Sequence, residues 1–250
     1  MSDLKTFEDR HRERKRRKEM SLIIGELTPF IKSGKDSRIL EFGSGDGYQI
    51  PYLKRLGTLV SSDIYKRGEI AKNHPDIEFV ACDIANTPFP SENFDLIFSS
   101  HVLEHIKDIP NAFAELKRIG GKECVYAFTV PTSTWLLLSI PAQCCNRIRR
   151  LLNREPVIKA DKRKREGKGD PKGFKNFFPV GHGWRNNFFE CLNAFKIKNW
   201  QGLFVENGFD VIKRIPLLLY APSEFPIIPT TSFLTRYGIC SSAMFILRKA

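Results

Sequence analysis

Long hydrophobic runs are missing from this 250-residue chain. Its longest near-apolar stretches, 135–145 and 215–221, fall well short of the ~18–20 residues a membrane-spanning helix needs. The N-terminus lacks the apolar core of a secretory signal and is charged throughout. Cysteine occurs six times (Cys82, Cys124, Cys144, Cys145, Cys191, Cys240), with no CxxC pair and no Cys/His cluster at zinc spacing. That pattern fits reduced thiols in a cytoplasmic protein, and no metal is expected. Gly (17) and Pro (15) are too few for a collagen-like or linker-dominated chain. No internal repeat is evident. A hydrophobic content of 42% excludes wholesale disorder.

Acidic residues are also in short supply. Forty Lys and Arg oppose 28 Asp and Glu, a net charge of +12. A charge of this size invites a nucleic-acid or anionic-membrane reading. Its distribution argues otherwise. Residues 1–20 hold eight basic and five acidic side chains, and residues 147–175 hold twelve and four. The remaining residues are close to neutral, so the basicity is local.

The pattern predicts one large domain with an elaborate insert. Residues 3–32 read as a helix, charged first and then apolar at Leu22, Ile23, Leu27, Phe30 and Ile31, with Gly34 as its stop. From residue 37, strands and helices alternate. Strands are expected at 38–42, 58–63, 77–82, 94–100 and 123–130. Helices are expected at 49–56, 66–73 and 108–119, the last capped by Asp108 with Pro110 in its first turn. Repeated βα units imply a parallel sheet with helices on both faces. The rhythm breaks at Pro131. It returns with a helix at 197–207 and strands at 209–215 and 241–247, which suit an antiparallel pair at the sheet edge. The expected division is a charged N-terminal helix (1–34), a core domain (35–131 and 191–250) and a substrate-side insert or lid (132–190).

The strongest chemical signal is Glu41-Phe42-Gly43-Ser44-Gly45-Asp46-Gly47, after the first strand and before a helix. Three glycines let the backbone turn tightly and approach a ligand closely, and the helix start offers free N–H groups. The spacing is GxGxG, not the GxGxxG of dinucleotide sites. Asp63 ends the second strand, twenty residues after Gly43, where a carboxylate can accept from ribose hydroxyls. Asp83 ends the third strand. It could accept from an exocyclic adenine amine, with Ile64 and Ile84 packing on the ring faces.

Together with the run Phe94-Asp95-Leu96-Ile97-Phe98-Ser99-Ser100-His101-Val102-Leu103-Glu104-His105-Ile106, these residues resemble the class I S-adenosylmethionine-dependent methyltransferases, and within them the type 11 group. That group includes ubiquinone- and menaquinone-pathway enzymes. The resemblance covers about residues 37–131. It implies a Rossmann-like α/β fold, with a mostly parallel seven-stranded sheet, an antiparallel edge strand and helices on both faces. It implies S-adenosylmethionine as cofactor and S-adenosylhomocysteine as product. Glu41 and the backbone of Gly43, Ser44, Gly45 and Gly47 would hold the methionine moiety, Asp63 the ribose, and Asp83 with Ile84 the adenine. Ser100 and His101 would lie near the reactive methyl.

An acceptor hydroxyl benefits from a general base, and histidine titrates near neutral pH. His101 follows the fourth strand. His182 sits between Gly181 and Gly183 in the insert. These two are the candidate catalytic residues. His105 reads as structural, Glu104 as a cap or network residue, and His11 and His74 as surface positions.

The insert pairs an apolar segment (Trp135-Leu136-Leu137-Leu138) with Arg147, Arg149, Arg150 and Arg154, a combination suited to peripheral contact with a cytoplasmic membrane face. Its aromatics Phe174, Phe177, Phe178, Trp184, Phe188 and Phe189 could form core or stack on sugars. The expected function is O-methylation of a small molecule, a saccharide or a lipid-linked saccharide. Alternatives are a quinone or lipid methyltransferase, an RNA-binding methyltransferase, or a cofactor-binding module without activity. No Asn-Pro-Pro-Tyr-type run follows the fourth strand, which counts against N-methylation of bases or amides. Nucleic acid is disfavoured as a partner, and the oligomeric state stays open.

Overall fold

A computed structural model describes residues 2–31, 37–65, 68–141, 182–183, 187–220, 231 and 233–250. Seven strands form one sheet: β1 (Arg38–Phe42), β2 (Thr58–Asp63), β3 (Glu78–Ala81), β4 (Phe94–Ser100), β5 (Gly120–Pro131), β6 (Phe209–Pro216) and β7 (Ser242–Lys249). The helices are α1 (Ser2–Leu27), α2 (Ile50–Leu53), α3 (Gly68–Asn73), α4 (Ile109–Ile119), α5 (133–141), α6 (Phe188–Ala194) and α7 (Ile197–Glu206).

The sheet order is β3-β2-β1-β4-β5-β7-β6. The pairs from β3 to β5 are parallel, and β7 runs antiparallel to both β5 and β6. The order reverses between β1 and β4. In open α/β sheets this reversal opens a crevice beyond the carboxyl ends of the two strands.

Central parallel strands are covered on both faces, so their sequences are almost continuously apolar. In β5 the side chains alternate between two apolar layers. Tyr126, Phe128 and Val130 face one with α4 and α7; Val125 and Ala127 face the other with α1. The first layer is aromatic-rich, with Phe113 stacked on Phe128 at 6.0 Å and edge-on to Phe209 at 5.2 Å. Each such side chain, fully buried, contributes roughly 1.5–3 kcal/mol of transfer free energy.

Local chemistry sets the helix ends. Asp108 caps α4 by accepting from the Asn111 N–H at 3.2 Å. Ala112, Phe113, Leu116 and Ile119 form its buried stripe, and Gly120 leaves the helix directly into β5. Helix α1 ends earlier than its sequence suggests. Thr28-Pro29-Phe30 tightens into a 3-10 turn, and Gly34, the expected stop, lies outside the described residues. Proline lacks the N–H that a continuing helix needs. Met20, Ile23 and Leu27 bury the apolar face of α1 against the sheet. The expected helix at 49–56 is only Ile50–Leu53, with turns after it.

Among the described residues no helix is long and apolar enough to cross a membrane. The basic stretch 147–175 and the aromatics Phe174, Phe177, Phe178 and Trp184 lie outside the described residues.

Candidate active site

Four strand ends converge on a cleft of about 640 Å³. Gly43 follows β1, Asp63 ends β2, Asp83 follows β3 and His101 follows β4, and all four line it. Ile64 and Ile84 line it too, with Ile64 largely exposed at the rim. Glu41, Ser44, Gly45, Gly47, Ser100 and His182 are not on its lining.

The glycine loop turns through left-handed backbone at Gly43 (φ +72), Gly45 (φ +57) and Gly47 (φ +76). The Gly43 and Ser44 N–H groups both donate to the Ser62 carbonyl, at 2.8 and 3.0 Å. The Gly45 N–H donates to Asp63 Oδ2 at 3.0 Å, and the Tyr65 N–H to Asp63 Oδ1 at 3.1 Å. Asp63 therefore ties the loop to β2 as well as facing the cleft. A side chain at Gly43 would run into Val102, whereas Gly45 has no neighbour in reach of a Cβ. Gly43 is thus required for packing, and Gly45 leaves space open beside the backbone.

Glu41 is fully buried. Its Oε2 accepts from Ser61 Oγ at 2.9 Å, and its Oε1 has no hydrogen-bond partner. Burial raises its pKa from 4.5 to about 7, against the opposing Ser61 bond and with help from Asp46 and Asp63. A buried carboxylate with one orphaned oxygen asks for a cationic or donor partner.

On the opposite wall the chain makes an unusual turn. His101 has φ +56, a left-handed conformation that costs a residue with a Cβ on the order of 1–3 kcal/mol. Its N–H donates to the Thr129 carbonyl at 2.9 Å, which holds the turn on β5. Ser100 Oγ accepts from Thr129 Oγ1 at 2.7 Å. The next turn buries Glu104 completely. His101 Nδ1 and His182 Nε2 each stand 3.6 Å from Glu104 Oε1, and His105 Nε2 stands 4.0 Å away. Burial pushes the Glu104 carboxyl up, but the surrounding imidazoles outweigh it and hold the pKa down at about 2. Burial likewise pulls His101 down, and Glu104 more than reverses this, so its pKa is raised.

His182 arrives from a distant part of the chain. Its N–H donates to Cys191 Sγ at 3.2 Å, and its ring meets Trp135 and His105 edge-on at 4.9 and 5.0 Å. Gly183 (φ +71) sits so close to the Glu104 carbonyl that a Cβ would collide with it. The two histidines singled out from sequence are thus brought to one carboxylate.

Residues 40–128 match the family model described as a methyltransferase domain. The strand order, glycine loop and acidic strand ends agree with that match. Residues 40–128 are thus similar to a methyltransferase domain of the type 11 kind, and the fold is that of the class I methyltransferases. A demethylmenaquinone methyltransferase of Renibacterium salmoninarum is 30% identical over 121 residues, covering 42% of this chain and 50% of that protein. A 2-phytyl-1,4-naphtoquinone methyltransferase of Nostoc punctiforme is 31% identical over 123 residues, covering 42% and 51%. The chain spans about half the length of these relatives. Among solved structures, an S-adenosylmethionine-dependent methyltransferase of Thermotoga maritima superposes with a TM-score of 0.58, at 16% identity, over 98% of this chain and 92% of that one. This likeness is one of fold.

Three features of this region are compatible with an S-adenosylmethionine-type ligand. The cleft is of ligand size, Gly45 leaves the backbone accessible, and Glu41 offers an orphaned buried oxygen. The sequence reading gave Glu104 a cap or network role, and the structure makes it the hub of three histidines. Sequence reasoning missed one contribution to this region. Helix α1 reaches inward: Lys15 Nζ lies 4.0 Å from the ring centre of buried Tyr220, and Glu19 accepts from Ser242 Oγ at 2.6 Å. A charged helix read only by composition hides such inward-facing ends.

Proposed function

We propose that this chain transfers a methyl group from S-adenosylmethionine to an oxygen of a small-molecule acceptor. The observation that carries the reading is the cleft at the strand-order reversal, with Gly43, Asp63 and Asp83 on one wall and His101 on the other. The cofactor supplies a methyl group on a positively charged sulfur. Asp63 holds the ribose, and Asp83 with Ile64 and Ile84 holds the adenine. Glu41 gives its free oxygen to the ammonium end, with Ser44, Gly45 and Gly47 supporting the methionine part.

Bound here, the cofactor would give that methyl group to an acceptor oxygen and would leave as the neutral thioether S-adenosylhomocysteine, the carbon–sulfur bonding pair remaining on sulfur. The acceptor proton passes to His101. Glu104 stabilises the resulting imidazolium, and Ser100 fixes the strand end beside it. His182 stands beside Glu104 on the acceptor side. Proton removal of this kind contributes typically ~10²–10⁴-fold in rate.

A second reading, transfer to a quinone-type ring, is favoured by the two relatives above, a demethylmenaquinone and a 2-phytyl-1,4-naphtoquinone methyltransferase. A saccharide acceptor gains no such support, since the aromatics that suggested it are mostly undescribed. Labelled methyl transfer into extracts fractionated as quinone, glycan, lipid and RNA tests both readings. Incorporation into the quinone fraction is expected if the second reading holds, and into polar small hydroxyl compounds if the first does. In His101→Ala, turnover should fall by about 10²-fold or more with cofactor affinity unchanged. Unchanged turnover in His101→Ala contradicts its proton-transfer role, and unchanged turnover in His182→Ala contradicts a role for it on the acceptor side.

A further inference from the structure

The cluster around Glu104 has a geometry that proton transfer alone does not account for. Glu104 is fully buried, yet neither of its oxygens has a hydrogen-bond partner. A carboxylate removed from water normally gathers donors at about 2.7–3.2 Å. Here the imidazole nitrogens stop at 3.6 and 4.0 Å. Two atoms bonded to one zinc-like ion at about 2.0–2.2 Å stand roughly 3.3–3.6 Å apart. The spacing is therefore too wide for direct hydrogen bonds and close to that of groups sharing an ion.

We infer that Glu104, His105 and His182 form a binding site for a divalent transition-metal ion of the zinc class. The ligand atoms of these three residues all lie within 4.8 Å of one another. One carboxylate and two imidazoles are the donor set of known catalytic zinc sites and of two-histidine-one-carboxylate iron sites. His101, on the other flank of the carboxylate, lies outside this set and keeps its place on the cleft wall.

The surroundings are built for this arrangement. Glu104 is immobilised in the 3-10 turn Leu103–His105. His182 comes from 78 positions further along, and both ends of its peptide unit are fixed. Its N–H donates to Cys191 Sγ, and its carbonyl accepts from the same thiol at 3.5 Å. Trp135 and Phe195 flank its ring. The next residue can approach the Glu104 backbone only because it is Gly183. His105, half-exposed, also lines the cleft. Three protein ligands would leave further coordination positions, which an oxygen of water or of an acceptor could take. Zinc spacing in sequence did not reveal the set, because its members are two adjacent residues and one from a remote loop.

The site stands independently of the acceptor's identity and of methyl transfer itself. Full-length protein is stripped with a chelator and titrated with Co²⁺, whose visible absorption reports nitrogen and oxygen ligation, and then with Zn²⁺ in competition. One equivalent of Co²⁺ should bind, and Zn²⁺ should displace it. Glu104→Gln, His105→Ala and His182→Ala should each weaken binding at least tenfold, and His101→Ala should not. Circular dichroism and thermal melting of the same samples should match the wild type in His105→Ala and His182→Ala and so show that these variants are folded. No stoichiometric Co²⁺ or Zn²⁺ binding by the wild type overturns the inference. So does undiminished binding by both His105→Ala and His182→Ala. Metal binding without any methyl transfer would leave the site standing and count only against the proposed reaction.

Discussion

The two walls of the cleft are built by opposite means. The cofactor wall is short-range and made largely of backbone. Gly43, Ser44 and Gly45 bond to Ser62 and Asp63 on the neighbouring strand, and the turn spans a few residues. The acceptor wall is long-range and made of side chains, with His101, Glu104 and His105 joined by a histidine from position 182. Backbone hydrogen bonds fix the shape of the first, which leaves Glu41 Oε1 and Ser44 Oγ buried without partners. The second leaves both oxygens of one buried carboxylate without hydrogen bonds and surrounds them with imidazoles. In both, the unpaired oxygens are unused capacity for a ligand, and the walls differ in how far along the chain their parts are gathered.

Substitutions at the glycine loop should break this contrast most strongly. Gly43→Ala introduces a clash with Val102 on top of a left-handed backbone. Cofactor affinity should fall by roughly 10–100-fold, from strain on the order of 1–3 kcal/mol. Gly45→Ala carries only the backbone strain, since nothing lies near its Cβ. It should cost several-fold, from roughly 1 kcal/mol. Calorimetry with S-adenosylhomocysteine measures both. Equal effects would mean that the Val102 contact does not set the loop.

Glu41 gives a pH signature on the cofactor wall alone. Its folded pKa of about 7 lies above the ordinary 4.5, so the free protein favours the protonated acid. Glu41's contribution to stability is fully present below about pH 4.5 and is lost as pH rises through 7. Cofactor binding runs the other way, because an ammonium prefers the ionised carboxylate. Affinity should rise by roughly tenfold between pH 6 and pH 8, and Glu41→Gln should flatten that slope. A slope unchanged in Glu41→Gln assigns the dependence to another group.

The same contrast governs what could be read from sequence. Residues that act within one turn or one strand announce themselves by spacing. The GxGxG loop, the Asp108 cap and the acidic ends of β2 and β3 were legible for that reason, as was the alternation that gave the sheet. Boundaries were less so. Helix α1 ends at Leu27 because Pro29 lacks a donor, and β5 extends from Gly120 to Pro131 because both neighbours continue its ladder. Glu104 read as a cap or network residue, but which groups it gathers was hidden because they are spatial neighbours. Nothing at positions 101–106 announces that a histidine from 182 will arrive, and the Gly183 that permits its approach looks like any loop glycine. The N-terminal charge changed meaning in the same way. Arg16 bonds Asp46 of the glycine loop at 2.9 Å and lies over the Tyr48 ring at 4.1 Å, so part of that basic helix serves the cofactor wall.

The most direct measurement is a calorimetric titration of S-adenosylhomocysteine into the wild-type chain and into Asp63→Ala. Asp63 both faces the cleft and holds the Gly45 N–H, so the cofactor wall depends on it twice. One site is expected in the wild type, with affinity at least tenfold weaker in Asp63→Ala. No binding by the wild type, or equal binding by the two proteins, would contradict the assignment of this cleft to the cofactor.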